Sequence, residues 1–185
     1  MQILYRARQT WNAITGIPKK GDIDQVRKIL SPDLMPLFLC LQPGEQAHSF
    51  WVYNQLRQSG ETNHDLLVAA LLHDVGKSLH PLHLWERIVI VLGKTISPQG
   101  AKAWGQGEPQ GFLRPFVISE KHPVWGADMA AQAGASQLTV SIIRRHQEPQ
   151  NIHPNVQSRE NPGVITNQLM ERQLLQRLQR ADNKS

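Results

Sequence analysis

The chain has 185 residues, of which 40% are hydrophobic and 19% are charged. These proportions are those of an ordinary globular protein, and they exclude a disordered or low-complexity chain. There are 20 Lys and Arg residues against 15 Asp and Glu, and the formal net charge of +5 is spread without a basic block. The charge therefore favours a small anionic ligand such as a phosphate compound, and no specific nucleic-acid binding is predicted.

The single cysteine, the first residues and one apolar run predict buried segments and a cellular location. The single cysteine, Cys40, lies in the apolar run 36–41, which predicts a buried and inert thiol. Residues 1–11 lack the apolar core and cleavage site of a signal peptide, so we expect a cytoplasmic protein. The apolar run 88–92 is too short to span a membrane and is predicted to be buried core.

Helical patterns with short breaks dominate the first half of the sequence, which predicts an all-α fold. The predicted elements are a helix at 22–30, a buried segment at 36–41, and helices at 45–58 and 65–75. Gly60 is expected to end the helix at 45–58. Asn63 is a good cap for the start of the next helix, and Gly76 is expected to close it.

The second half begins with a stretch that is rich in Gly, Pro and Gln. The predicted elements are a loop at 97–114, helices at 122–132 and 137–146, a loop at 148–163, and a last helix at 164–182. Pro123 is expected in a first helical turn, and Gly134 is expected to end that helix. We expect the loop at 97–114 to cover a substrate or to contact a partner.

Ionisable residues recur in otherwise apolar helical stretches. In chain order they are His48, His73, Asp74, His122, His146 and Asp182. Helical spacing places His73, His146 and Asp182 on the same faces as aliphatic core residues. A single histidine of this kind is more often a neutral core residue with a hydrogen-bond partner. Together, however, the six would be satisfied by one or two divalent ions, since imidazole and carboxylate groups are metal ligands.

The order of these residues resembles the HD superfamily of metal-dependent phosphohydrolases, which is named after a His-Asp doublet. Here the doublet opens the run His73-Asp74-Val75-Gly76-Lys77. The resemblance implies a single compact helical HD-domain bundle over residues 1–185, with a core at about 45–182 and an N-terminal helical extension at 1–44. It also implies that the metal ligands are His48, His73, Asp74 and Asp182.

Two further histidines resemble the extra ligands of the binuclear branches of the superfamily. They are His122 and His146, and they imply one or two divalent transition-metal ions, with Asp74 as a bridge between two ions. Mn, Fe, Co or Ni suits such ligands, and Zn or Mg is also admissible. The sequence after His146 lacks the Gly-Tyr-Pro signature of the cyclic-dinucleotide phosphodiesterase branch, which disfavours that branch.

The resemblance implies hydrolysis of a phosphate ester or anhydride on a small phosphorylated substrate, with a nucleotide as the expected kind. Asp74 and Lys77 are the predicted catalytic residues. Lys77, Arg144 and Arg145 are the predicted substrate-binding residues, although one of the two arginines could be purely a surface residue. Lys77 could alternatively be a solvated lysine that stabilises the end of a helix.

Two other functions stay open from the sequence. One is a regulatory domain that binds metal and nucleotide without turnover, and the other is an HD-type oxygenase with a di-iron pair. Four histidines are predicted to lie outside the centre: His64 at a helix start, His80 and His83 in a loop, and His153 in a proline-rich loop.

Overall fold

The fold is built from helices that follow one another with short connections. The computed structural model describes residue 17, residues 19–149 and residues 162–184, with side chains of the last helix described from residue 166. The α-helices of this part are α1 (Lys20–Val26), α2 (Met35–Leu39), α3 (Pro43–Gln58), α4 (His64–Leu72), α5 (Leu84–Ile96), α6 (Pro98–Trp104), α7 (Arg114–Gln132), α8 (Gln137–Arg145) and α9 (Pro162–Asp182). Two 3-10 segments, Val75–Leu79 and Gly111–Leu113, complete the described elements, which include no strand. The all-α prediction is confirmed.

Helix α4 lies at the centre of the hydrophobic core. Every residue from Leu66 to Leu72 is at most 3% exposed, so this helix is apolar on all sides. It packs against α3, α8 and α9, three helices that each present a buried apolar stripe to it. The chain emerging from α4 therefore starts inside the protein, which is where the His-Asp doublet lies.

Glycine and asparagine end and begin the core helices as the sequence predicts. The Asn63 side chain accepts a hydrogen bond from the backbone N–H of Leu66 at 3.0 Å and caps α4. Gly60 and Gly134 follow α3 and α7 with φ angles of 85° and 81°. This left-handed conformation is easily adopted by glycine. Both helices therefore end at a position where a residue with a side chain would have a strained backbone.

Gly76 has a different role from the helix stop that the sequence suggests. Helix α4 already ends at Leu72, and φ of Gly76 is not positive. A Cβ atom on Gly76 would instead collide with the backbone carbonyl of His122 and lie 2.6 Å from the backbone nitrogen of Gly126. Glycine is needed here because the backbone of α7 crosses the 3-10 segment so closely that no side chain fits between them.

The predicted start of a helix at His122 is wrong, because α7 begins at Arg114 and runs through Pro123. The proline of its first turn is Pro115. Pro123 lacks the N–H that would bond to the carbonyl of Ser119, and the long helix tolerates this single missing bond. The proline that marks the start of this helix is therefore Pro115, about two turns before Pro123.

The segment between the His73-Asp74 doublet and α7, residues 75–113, differs most from the sequence predictions. The expected loop at 97–114 contains α6, which Ser97 caps by accepting a hydrogen bond from the backbone N–H of Gly100 at 3.2 Å. The run 88–92 is not buried, since Ile88 and Leu92 are each 52% exposed. The inward face of α5 carries a buried polar residue instead, Glu86, which is 1% exposed.

The prediction of a buried Cys40 is also wrong. The thiol is exposed and contacts the Leu37 carbonyl at 3.0 Å and the Ser78 hydroxyl at 3.2 Å. Helix α2 turns Phe38 inward, and the cysteine two positions later faces outward. His153 and most of the loop at 148–163 lie outside the described residues. None of the described helices combines the length and apolar character needed to cross a membrane.

Candidate metal centre

The six predicted ligand residues converge on one place in the structure. His48 lies within α3, His73 and Asp74 directly follow α4, His122 lies within α7, His146 directly follows α8, and Asp182 ends α9. Five helices therefore each contribute to one cluster. The aliphatic residues on the same helix faces are buried, so packing of the core holds the cluster together.

The cluster consists of two overlapping groups. The first ligand group contains His48, His73, Asp74 and Asp182, and the second ligand group contains Asp74, His122 and His146. One atom each of His48, His73 and Asp74 lies within 4.8 Å of the others, and the same holds for Asp74, His122 and His146. Asp182 joins the first group through its Oδ1 atom, which is 3.0 Å from His48 Nε2 and 3.8 Å from His73 Nε2.

Asp74 connects the groups by presenting a different oxygen to each. Its Oδ2 atom is 3.7 Å from His73 Nε2 and 3.9 Å from His48 Nε2. Its Oδ1 atom is 3.1 Å from His122 Nε2 and 3.9 Å from His146 Nε2. A carboxylate in this orientation can bridge two cations, with one oxygen for each.

Backbone carbonyls fix the orientation of three of the histidine rings. The Nδ1 atoms of His73, His122 and His146 lie 3.0, 3.0 and 2.7 Å from the carbonyl oxygens of Ala70, Ile118 and Ile143, which precede them by three or four residues. Because a carbonyl oxygen only accepts, Nδ1 donates in each pair, and Nε2 of the neutral ring keeps its lone pair. Such a second hydrogen bond is what commonly orients a metal-binding histidine.

The oriented rings place lone pairs face to face. His122 Nε2 and His146 Nε2 are 3.3 Å apart, and Asp74 Oδ1 is close to both. Neither ring has a proton to donate on that side when it is neutral, so three acceptors surround one point. A cation at that point would bind all three acceptors, whereas no hydrogen bond can form among them because none carries a proton. The donor set of the second ligand group therefore fits a metal ion.

The two carboxyl groups are held in their charged form. Burial alone would raise the pKa of Asp74, but the neighbouring Lys77, His73 and His122 hold it well below its usual value of 3.8. Burial opposes the charge of Asp182 as well, yet His48 and His73 lower its pKa far below the ordinary range. Both groups thus offer ionised oxygen atoms at any pH near neutrality.

The second ligand group also keeps its histidines neutral. Burial lowers the pKa of His146 from 6.5 to about 3, with further lowering by His122 and His73. Burial and the charge of Lys77 lower the pKa of His122. Since neutral imidazole is the metal-binding form, the protein prepares both rings for a cation without competition from protons near neutral pH.

Lys77 lies against the shared carboxylate. Its ammonium group is 2.6 Å from Asp74 Oδ2, on the side of the first ligand group. Burial works against its charge, but Asp74, Glu45 and Asp182 raise its pKa. Lys77 is therefore a cation held beside the centre by a partly buried ion pair, whereas the alternative prediction was a solvated lysine at a helix end.

The two predicted phosphate-binding arginines lie on α8 with acidic partners of their own. Arg144 pairs with Asp128 at 2.6 Å, and both side chains are exposed. Arg145 pairs with Glu148 at 2.9 Å and with Glu171 of α9 at 2.6 Å. These pairs connect α8 to α7 and α9, and a phosphate would have to replace an existing partner of either guanidinium group.

Three residues near the cluster were not identified from the sequence. Glu45 is 2% exposed and lies three residues before His48 on α3, a helical spacing that could have revealed it. Gln147 lies 3.5 Å from His122 Nε2. Gln179 donates to the carbonyls of His146 and Glu148 at 3.1 and 2.8 Å, so it links the end of α8 to α9 near Asp182.

The histidines that were set aside lie outside both ligand groups within the described residues. His64 contacts the Ile29 carbonyl at 3.1 Å, and the adjacent Asp65 accepts from hydroxyl groups at the start of α8. His80 packs on Trp125 with ring centroids 5.1 Å apart, and His83 precedes α5 as its N-terminal cap residue. Local structure accounts for these three histidines.

The fold and the site together define a class of all-α domains whose His and Asp residues converge on a possible metal centre. The HD domain family matches residues 46–183, which is most of the chain. This chain belongs to the HD domain family. Members of this family typically bind divalent metals, and most are metal-dependent hydrolases. Among curated proteins and among solved structures, no match to the chain was found.

Proposed function

We propose that this protein is a metal-dependent phosphohydrolase that acts with an activated water molecule on a small phosphorylated substrate, with a nucleotide as the expected kind. The observation that carries the proposal is the arrangement of Asp74, whose two oxygens face two separate pairs of histidine Nε2 atoms. Each pair has its ring nitrogens 3.3 Å apart. Family membership supports the same reaction class.

The ligand groups fit two divalent ions. His48, His73, Asp74 and Asp182 would hold one, and Asp74, His122 and His146 would hold the other. Mixed imidazole and carboxylate ligands with no thiolate favour Mn, Fe, Co or Ni and admit Zn or Mg. Divalent ions in such sites act as Lewis acids toward phosphoryl oxygens and make a water molecule more acidic.

The protein's own residues supply charge and orientation. Asp74 is held ionised, so its two oxygens remain available to both ligand groups. Lys77 supplies a fixed positive charge on the more open side of the centre, where its ammonium group can contact a phosphate oxygen of the substrate. The catalytic roles of Asp74 and Lys77 in this proposal rest on these positions.

Phosphate contact by Arg144 and Arg145 stays a prediction. Arg144→Ala and Arg145→Ala test it through KM, because loss of a substrate contact raises KM while loss of the α8 ion pairs alone changes stability. We also propose that residues 1–185 act as one unit in the cytoplasm, without a nucleic-acid partner. Retention of full activity by the fragment 45–185 would show that residues 1–44 are dispensable for that unit.

The deciding experiment combines metal analysis with a substrate panel. Protein purified without added metal is analysed for elements, then assayed with nucleoside mono-, di- and triphosphates and a simple phosphate diester in the presence of Mn²⁺, Fe²⁺ or Co²⁺. We expect bound metal and release of phosphate or of a nucleotide product, with both lost in His73→Ala. The matched control is His64→Ala, which alters an exposed histidine bonded to a backbone carbonyl and should leave both unchanged.

Two outcomes would contradict the proposal in different ways. Metal-free protein that stays inactive with every added ion argues against any metal-dependent function. Metal-loaded protein that binds a nucleotide and returns it unchanged, with binding abolished by His73→Ala, shows a regulatory domain. Oxygen consumption with an organic substrate would point to the di-iron oxygenase chemistry instead.

A further inference from the structure

The outward face of α5 is apolar along the whole length of the helix. This outer stripe consists of six side chains that are each 43–80% exposed, namely Leu84, Trp85, Ile88, Val91, Leu92 and Ile96. The six positions cover an arc of about 140° around the helix axis. Thr95 is the one polar residue within that arc, and its hydroxyl donates to the Val91 carbonyl at 2.7 Å. The described part of the chain therefore leaves a continuous apolar stripe uncovered.

Contacts on the opposite side of α5 hold the helix in this orientation. Glu86 is 1% exposed and pairs with Arg114 of α7 near the start of the helix. Towards its end, Gly93 packs so closely on the ring of Phe116 that a Cβ atom would collide with the ring. A rotation that buried the outer stripe would expose Glu86 and break both contacts. Only a partner outside the chain's own core can cover the stripe.

The outer stripe is large for the surface of a monomer. Since a fully exposed aromatic side chain offers about 150–250 Å² and an aliphatic one somewhat less, its six side chains expose roughly 600 Å². The largest apolar patch of a typical monomer is about 300–600 Å². The segment 97–113, which follows α5, adds the exposed side chains of Trp104, Phe112 and Leu113. Together they offer the area that a stable protein interface buries on each partner, about 800 Å².

The charges around the outer stripe favour a protein surface over a lipid surface. Arg87 and Lys94 lie at one edge of the stripe, outside its arc. In α5 and the segment 97–113, the exposed charged side chains are Lys94, Lys102 and Glu108. A helix that binds an anionic lipid surface is instead rich in Lys and Arg on its polar face. The surroundings of the stripe lack such a cluster of cations within the described residues.

Two copies of the outer stripe are complementary to each other in an antiparallel pair. Helix α5 spans Leu84–Ile96, so two copies overlap along their whole length when a two-fold axis passes beside residue 90. Ile88 of each copy then lies at the level of Leu92 of the other, which gives a central layer of four branched aliphatic side chains. Towards the ends, the bulky Trp85 lies at the level of the small Thr95, which leaves room for the indole ring.

We propose that α5 is a dimerisation helix, through which two copies of this chain pair by burying the outer stripe of each against the other. The pairing buries no charged side chain, because Arg87 and Lys94 remain at the edge. It also leaves the contacts of Glu86 and Gly93 with α7 intact. The inference concerns a surface outside the metal centre, and it holds whether or not the chain hydrolyses phosphate compounds.

The first test is the mass of the full chain in solution, measured by analytical ultracentrifugation over a series of concentrations. We expect a dimer with Kd of about 1 µM or tighter, the weak end for interfaces of this size. Ile88→Glu places two like charges in the central layer and should weaken the dimer at least about a hundredfold. Leu169→Glu, at a 48% exposed apolar position of α9, is the matched control and should dimerise as wild type does.

Disulfide cross-linking tests the pairing without introducing a charge. In a Cys40→Ser background, which removes the exposed thiol, chains with Ile88→Cys are mixed with chains with Leu92→Cys and mildly oxidised. We expect a covalent species of two chains, because these positions share the central layer. Leu169→Cys in place of Leu92→Cys should give no such species.

Several results would overturn the inference. They are a wild-type chain that stays monomeric at every concentration, an Ile88→Glu variant that dimerises as tightly as wild type, and an absence of cross-linked chains in the mixture of Ile88→Cys and Leu92→Cys. Binding of monomeric protein to anionic phospholipid vesicles, lost in Ile88→Glu, would also overturn it, because a lipid surface would then cover the outer stripe.

Discussion

The two ligand groups share Asp74 and differ in how they meet solvent. In the first group the side chains of His48 and Asp182 are 14% and 30% exposed. In the second group the side chains of His122 and His146 are 0% and 2% exposed. The first group is thus the open side of the centre, and the second is enclosed by α7, α8 and the 3-10 segment after the doublet.

This difference suits two tasks that the proposed binuclear hydrolytic centre would have to perform. An enclosed group of neutral, pre-oriented histidines can retain an ion, because solvent access to it is restricted. An open group with two carboxylates and a neighbouring lysine can admit a charged substrate. The cation that lies against the centre, Lys77, contacts the Asp74 oxygen of the first group at 2.6 Å.

The largest effect is expected from removing the ligand that the groups share. Asp74→Asn replaces the charged carboxylate with a neutral amide of similar size, so both groups lose a ligand. We expect loss of both ions and a fall in activity of about a thousandfold or more. Elemental analysis and initial rates measure this. Asp128→Asn, at an exposed ion pair, is the control. Full metal content in Asp74→Asn would show that Asp74 is no bridge.

The two ligand groups should release their metal ions at different rates. When a coloured chelator is added to the loaded protein, we expect a fast phase from the open group and a slow phase from the enclosed one, differing by at least about tenfold in rate. His48→Ala should lack the fast phase, and His122→Ala should lack the slow one. Release in one phase, or the reverse assignment of the two variants, would contradict the comparison.

Gly76→Ala should disturb the enclosed group more than the open one. The added methyl group would overlap the His122 carbonyl and approach the Gly126 nitrogen, so α7 has to move away from the 3-10 segment. We expect a loss of about 3 kcal/mol in the free energy of unfolding, measured by urea denaturation. Gly21→Ala, with open space around its Cβ position, should not destabilise the protein. Equal stability of both variants would rule out the close crossing.

The neutral histidines of the enclosed group predict a pH dependence for the metal-free protein. The pKa of His146 is lowered from 6.5 to about 3 in the folded state. Between these values the unfolded chain binds the additional proton, so the free energy of unfolding falls as pH decreases, by at most about 1.4 kcal/mol per pH unit for one group. The lowered pKa values of His122 and Asp74 act in the same direction.

Thermal midpoints of metal-free protein, measured at intervals from about pH 7.5 to about pH 5, check this dependence. A flatter profile is expected for His146→Gln, which has no titratable ring and serves as the comparison. Midpoints that rise as the pH falls would mean that the folded protein takes up protons at these rings, contrary to their buried positions.

Much of the fold could be predicted from local sequence. Asn63, Gly60 and Gly134 act at helix ends through backbone conformations that depend on a few neighbouring residues. The apolar stripes of α4, α8 and α9 followed from helical periodicity, and their burial places His73, His146 and Asp182 inside.

The segment between the His73-Asp74 doublet and α7 could not be predicted in the same way. An apolar run such as 88–92 normally indicates burial, but α5 is oriented by Arg87 and Glu86, whose partners Glu45 and Arg114 lie on other helices. Its apolar side chains therefore face outward. The role of Gly76 was missed for a similar reason, because the helix that it contacts begins 38 residues later in sequence, at Arg114.

The sequence by itself determined the helical class, the resemblance to the HD superfamily and the six candidate ligand residues. Residue type and helical spacing suffice for these, because they are local properties. Only the tertiary structure decided which Asp74 oxygen faces which histidines and which ligand group is open to solvent. Those relations depend on how helices distant in sequence pack together.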